Sequence, residues 1–256
     1  MRLSICKQLC WLPRTLSMIW LVVASTCVLA WDVPAVVYPQ LVKRANGPEG
    51  FVPPGWKLEL LRKGDLTGAK REDLVMVLRQ NDPRNIVTHD DMCENPLDTN
   101  PRILAVAFSR PDGSYALALE NHTLIPRRES PCLDDVLHEG NVSIDRGSLN
   151  LTLHRFASAG TWEMGDSTYK FRWKNQRFEL IGYDEMSVMR NSGEVSEVSV
   201  NFMTHKAKLS SGNVSEDHPK NVRWVKFDSP RRWTPDEVGE DPSFFESLSA
   251  IWRDKH

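Results

Sequence analysis

From Phe51 to about Asp228 the chain alternates apolar and polar residues in short runs, broken by turn residues at intervals of about ten, which is the pattern of antiparallel strands. Three hairpins can be placed in register. A two-residue turn at Arg146-Gly147 sets Ile144 opposite Leu149 and Val142 opposite Leu151, with Ser143 and Asn150 on the other face. A turn at Asn175-Gln176 sets Trp173 opposite Phe178 and Phe171 opposite Leu180, and pairs Arg172 with Glu179 on the reverse side. A turn at Thr204-His205 would set Phe202 opposite Ala207 and Val200 opposite Leu209, with His205 in a conformation that glycine adopts more easily. Pro111-Asp112-Gly113 separates two further strands. The first of these, RILAVAF at 102–108, is apolar on both faces and is expected at the centre of its sheet.

Flanking segments read differently. Residues 31–50 hold three prolines and no sustained period, so they form a lead-in. The polar stretch 81–100 is too long for a tight turn and reads as a surface loop. In the C-terminal segment 229–256, Asp241 can cap a short helix with Pro242 at its first position and Phe244, Phe245, Leu248, Ile251 and Trp252 on one face, covering an edge or end of the sheet. The expected fold is all-β, with antiparallel hairpins at 51–228 in a small or partial propeller-like stack, a β-sandwich as the alternative, and a short C-terminal helix.

The first 30 residues change the picture of where this domain works. Arg2, Lys7 and Arg14 precede an apolar run from Leu16 to Ala30, with Val28 and Ala30 placed as small residues before a cleavage point. The run is shorter than the roughly 20 residues a membrane-spanning helix needs, so an export signal cleaved after Ala30 is expected, with no stable transmembrane segment remaining. Lipoprotein anchoring through Cys27 is the lesser alternative, because Thr26 stands where a lipidation motif favours Gly, Ala or Ser. Loss of three positive charges with the signal takes the formal net charge from −2 to −5, which argues against nucleic acid as a partner. Cys93 and Cys132 are then the only mature cysteines, and in an oxidising compartment they are expected to form a disulfide.

Catalytic signatures are missing. There is no G-x-S-x-G elbow, H-E-x-x-H helix, phosphate-binding loop or dinucleotide fingerprint. His89, Asp90, Asp91 and Glu94 form the densest ligand-like cluster and read as a solvated acidic loop. Among the aromatic residues, Tyr169, Phe171, Trp173 and Phe178 fall on the inward face of a hairpin, whereas Trp162, in Ala159-Gly160-Thr161-Trp162, is the candidate for an exposed ligand-stacking surface.

One motif carries a resemblance. The segment from Gly64 to Leu78, GDLTGAKREDLVMVL, is similar to the FG-GAP type hairpin of integrin-like β-propellers, whose calcium ligands stand at the first, third, fifth and ninth loop positions. Those positions hold Asp65, Thr67, Ala69 and Asp73. Only Asp65 and Asp73 keep carboxylates, so the loop is expected to be a relic, with no cofactor and calcium binding weak at best. NPRILAVAF, ASAGTWEMGDSTYKFRW, FELIGYD and SGEVSEVSVNFMTHK resemble segments of a poorly characterised group of bacterial exported proteins and lipoproteins. That resemblance implies a periplasmic or secreted protein, with incidental glycosylation sequons at Asn121, Asn141, Asn150 and Asn213. The expectation is a non-enzymatic binding or interaction module whose partner is a protein or a glycan. The alternative is an envelope hydrolase with carboxylates drawn from separate loops.

Overall fold

A computed structural model describes residues 33–253 except 91, 138–140, 218–220 and 229–230, with backbone alone at 252 and 253. The expected export signal, Cys27 and the expected cleavage point after Ala30 lie outside the described residues. The lead-in carries β1 (Arg44–Ala45) and a 3-10 turn at Pro48–Phe51. Next come β2 (Trp56–Gly64), β3 (Asp73–Gln80), the short β4 (Ile86–Val87) and β5 (Leu97–Asp98), β6 (Arg102–Ser109) and β7 (Tyr115–Asn121). A meander follows: β8 (Val142–Asp145), β9 (Ser148–Arg155), β10 (Glu163–Lys174), β11 (Arg177–Met189), β12 (Glu194–Asn201), β13 (Lys206–Asn213) and β14 (Asn221–Lys226). Two short helices close the chain, α1 (Pro235–Glu240) and α2 (Ser243–Arg253). The protein is thus all-β and antiparallel with a short C-terminal helix, and no helix among the described residues is long and apolar enough to cross a membrane.

Two main sheets result, one of five strands ordered β1-β7-β6-β3-β2 and one of seven in sequence order from β8 to β14, while β4 and β5 pair separately. Strands β3 and β6 are central in the first sheet, and their continuous apolar runs follow from burial on both faces. Val75, Val77, Leu104 and Val106 pack against Leu149, Leu151, Phe171 and Phe178 of the seven-stranded sheet. Alternate residues, Leu74, Met76, Leu78, Ile103 and Ala105, pack against Leu41 and Phe51 of the lead-in. The lead-in therefore seals one face of a sheet instead of merely connecting. At the corner between sheets, β2 lies close to β8: Arg62 Nε donates to the Val142 carbonyl at 3.0 Å, and a Cβ at Gly64 would meet Ile144 at 3.0 Å.

Two of the three hairpins have the expected register. Arg146 and Gly147, and Asn175 and Gln176, all have positive φ, as two-residue turns matched to strand twist require. The third differs. Its loop is Phe202–His205, Val200 faces Ala207 and Val198 faces Leu209, a two-residue shift from the Thr204-His205 turn. Asn201 causes it: its side-chain oxygen accepts the Met203 and Thr204 N–H groups at 3.0 and 2.9 Å, folding the chain early. A shift of two preserves the face of every side chain.

The segment 81–100 is more ordered than a surface loop. Asn85, Leu97 and Thr99 are buried, and β4 and β5 pair within it. Arg127 explains the order, donating to the Thr99 carbonyl, Asn85 Oδ1, Thr99 Oγ1 and the Pro34 carbonyl. In α2, Phe244, Leu248 and Ile251 are buried against Tyr169, Tyr183 and Trp233, but Phe245 is 50% exposed. Phe245 follows Phe244 by one residue and so turns about 100° away from the buried stripe at 244, 248 and 251. The Trp252 side chain lies outside what is described.

Candidate functional site

The loop with the calcium-site resemblance is built around its two carboxylates, and both are occupied by backbone amides. Asp65 Oδ1 accepts from Thr67, Gly68 and Ala69 N–H at 3.1, 2.7 and 3.1 Å, and Oδ2 accepts from Lys70 N–H at 2.7 Å. Desolvation acts to raise the Asp65 pKa, but the amides of Lys70, Gly68, Thr67 and Ala69 together outweigh it and hold the carboxyl below its usual range. Asp73, almost wholly buried, accepts Leu66 N–H on one oxygen and Ser109 N–H on the other, each at 2.9 Å. The two carboxylates thus serve different amide sets. No group of three or more His, Cys, Asp or Glu side chains suited to a metal ion occurs among the described residues.

Cys93 and Cys132 are joined in a disulfide with their Cα atoms 5.1 Å apart. The bridge fastens the segment after β4 to the one preceding β8, where Leu133 pairs with Ala157. In the neighbouring cluster the ligand-like groups do not converge: His89 is buried with Nε2 2.9 Å from the Glu94 carbonyl, Glu94 pairs with Arg128 at 2.7 Å, and Asp91 lies outside the described residues.

Trp162 is 61% exposed. Arg190 organises its surroundings. Its guanidinium donates to the Ala157 and Thr161 carbonyls at 2.7 and 2.8 Å and lies 4.5 Å from the Phe156 ring centroid and 5.8 Å from that of Trp162. One indole face is thereby supported by a cation.

This aromatic corner borders a larger surface. Sheet parity places alternate residues of β9–β14 on the face turned away from the core, and the observed register aligns them in rows. One row runs Thr152, Thr168, Asp184, Ser199, Lys208, Trp224; the next runs His154, Asp166, Met186, Glu197, Ser210, Val222. The polar members bond to one another, Thr152 to Thr168 at 2.8 Å, His154 to Asp166 at 2.8 Å, Ser199 to Asp184 at 2.6 Å and Ser210 to Glu197 at 3.0 Å, and Lys170, two positions along β10 from Thr168, pairs with Asp184. A shallow depression of about 420 Å³ lies over the rows at Thr168, Asp184, Met186 and Ser199. Trp224, at 67% exposure, ends the first row on the outermost strand.

Among the described residues carboxylates converge around arginines at the C-terminal helices, where Arg231 meets Glu237 at 3.2 Å and Asp241 at 2.6 Å, and at two places on the sheets. On β10 and β11, Glu163 and Glu185 approach Arg155 at 2.6 and 3.6 Å, and Tyr183 Oη donates to Glu185 at 2.8 Å. Burial pushes the Tyr183 phenol well upward, so it stays protonated as a donor. Across the end of the five-stranded sheet, Arg102 grips Glu59 at 2.6 and 2.9 Å and Asp135 at 2.8 and 2.7 Å, while its cross-strand neighbour Arg79 meets Glu59 at 3.2 Å and Asp98 at 2.9 Å. Burial raises the Asp135 carboxyl, but Arg102 outweighs it, aided by the Leu137 amide and Arg79, and the net pKa is lowered. A carboxyl held this way is a poor general acid, because acid catalysis needs the proton retained near neutral pH.

Of these two exposed tryptophans, the sequence singles out Trp162 and not Trp224. The signal for Trp224 was the alternation Val222, Trp224, Lys226 against Arg223, Val225, Phe227, which puts the tryptophan opposite the core-facing Val225 and Phe227. Arg102 was hidden as the first residue of an apolar strand. The alignment of rows across six strands was not accessible from single hairpins. No protein-family profile, curated protein or solved structure matches the chain.

Proposed function

We propose that this chain is an exported, non-enzymatic binding module of the bacterial envelope that holds an extended glycan on the solvent face of its seven-stranded sheet. The observation that carries the reading is the rows of hydroxyl, carboxylate and ammonium groups from β9 to β14, with exposed tryptophans at separated ends, Trp162 before β10 and Trp224 on β14. Trp224 aligns with Thr168 on β10, four strands across and six positions beyond Trp162 along β10, so the aromatics suit a long ligand rather than a single small molecule. Indole faces stack on apolar ring faces, and the polar rows offer hydrogen bonds to hydroxyls between them. The basic–apolar leader and the FG-GAP-like loop support the envelope location. Pairing of the convergent carboxylates with Arg155, Arg79 and Arg102 supports binding over the hydrolase alternative.

Titration of the mature chain with a panel of neutral and acidic polysaccharides, followed by tryptophan fluorescence, tests this. Binding by at least one polymer, weakened by both Trp162→Ala and Trp224→Ala, is expected. Binding indifferent to the double substitution, release of reducing sugar ends during incubation, or affinity only for a protein would overturn it.

A further inference from the structure

On the solvent face, most charged groups of β10–β12 are matched to a partner: Asp166 to His154, Asp184 to Lys170 and Ser199, Glu197 to Ser210. The last two strands are not arranged in this way. Lys206 on β13 lies directly opposite Lys226 on β14, and Lys208, two positions along β13 on the same face, lies directly opposite Trp224. None of these three ammonium groups has an ion-pair or hydrogen-bond partner among the described residues. Like charges placed directly across an antiparallel pair destabilise it unless an anion lies between them. The three lysines occupy a small triangle, since neighbouring strands are about 5 Å apart and residues two apart along a strand about 7 Å. A depression of about 380 Å³ lies there, lined by Lys206, Trp224, Val225 and Lys226.

Resting on the glycan-binding reading, we propose that Lys206, Lys208, Lys226 and Trp224 form an anion subsite that takes an acidic sugar residue of a polysaccharide. Trp224 receives the apolar face of the ring, and the lysines receive its carboxylate or sulfate. An opposed lysine pair is poorly suited to a neutral ligand, which cannot offset its repulsion. An exposed tryptophan beside the pair is poorly suited to a bare inorganic ion, which has no ring to stack.

The test uses the mature chain with three polymers: polygalacturonate as the carboxylate source, dextran sulfate as the sulfate source and unsubstituted dextran as the neutral control. Affinity for at least one acidic polymer should weaken steeply as salt is raised, because exposed charges are screened within about 8 Å at physiological ionic strength. Which polymer binds identifies the anionic group. The Lys206→Gln, Lys226→Gln double variant should lose about tenfold in that affinity, equivalent to roughly 1.4 kcal/mol, and Trp224→Ala should lose a comparable factor. Neutral dextran bound as well as the acidic polymers, with Trp162→Ala harmful and the lysine variant silent, would remove the anion subsite while leaving the glycan reading intact. Failure of all three polymers to bind would overturn both. Acidic-polymer affinity unchanged in a Lys206→Gln, Lys208→Gln, Lys226→Gln variant would place the anion elsewhere and overturn the subsite.

Discussion

Asp73 ties Leu66 to Ser109: one of its carboxylate oxygens accepts the N–H of the first and the other accepts the N–H of the second. The first residue of β3 thereby fastens the β2–β3 loop to the end of β6, at a site closed to water. Asp73→Asn keeps the shape but turns an amide N–H₂ toward one of the two donors. Leaving a buried donor unmatched costs about 1–3 kcal/mol. Urea denaturation should show that loss in stability with little change in the dependence on denaturant. An unaltered midpoint would mean the two amides find other partners.

The loop ahead of Asp73 leads to a prediction about calcium. Four N–H groups converge on Asp65, and they present partial positive charge where a cation would have to sit. With Ala69 offering no side-chain oxygen, affinity is left to backbone oxygens and water. A site with Kd above the ion concentration stabilises by less than about 0.5 kcal/mol. Melting in about 1 mM calcium should therefore match melting in chelator. A rise of several degrees that disappears in Asp65→Ala would show that the loop opens its amide cage around the ion.

Reduction of the Cys93–Cys132 bridge should destabilise the domain. The two cysteines are 39 positions apart, and in the chain-entropy account closing a loop of about 40 residues contributes roughly 4 kcal/mol. A Cys93→Ala, Cys132→Ala variant should melt well below the oxidised protein, and reductant should move the parent toward the variant. Equal melting of both forms would mean that the Leu133 to Ala157 bridge and the Arg127 contacts already hold these loops.

What could be read in the residues was local. The Arg146-Gly147 and Asn175-Gln176 turns have apolar partners on both sides at matching distances, so each register follows from one hairpin alone. At Asn201 the same logic misplaced the turn, because a side chain bonding two backbone amides competes with the apolar pattern and wins without altering which face is buried. Helix α1 was overlooked although Thr234-Pro235-Asp236-Glu237 carries a complete capping box; its six residues are too short for periodicity to reveal. The candidate ligand face depends on six strands lining up, and Lys206 opposite Lys226 becomes visible only once β13 and β14 are paired across a polar connection. Trp162 could be found because a single small-residue loop presents it.

The arginine pair at the end of β3 and β6 yields the last prediction. Glu59 reaches it through a β-bulge: Leu58 pairs with Leu78 and Leu60 with Val77, so Glu59 is the extra residue. Arg102 retains only 5% exposure of its side chain, and removing its partners leaves a buried charge uncompensated. Breaking such a pair from one side costs about 3–5 kcal/mol, whereas replacing the ionic set by apolar groups of similar volume is often neutral. Glu59→Leu alone leaves Arg102 paired with Asp135 and should cost only part of this, Glu59→Leu with Asp135→Leu should be strongly destabilising, and adding Arg102→Met should recover much of the loss. The same network sets an acid limit. Asp135 has a folded pKa below its ordinary 3.8, so its contribution is complete above that value and is lost as pH falls through the lower folded value. Stability measured from pH 6 downward should accordingly hold until about pH 4 and then decline, less steeply for the triple variant than for the parent once other carboxylates are common to both. Parallel acid profiles for the two proteins would show that the Arg102–Asp135 pair contributes nothing to acid sensitivity.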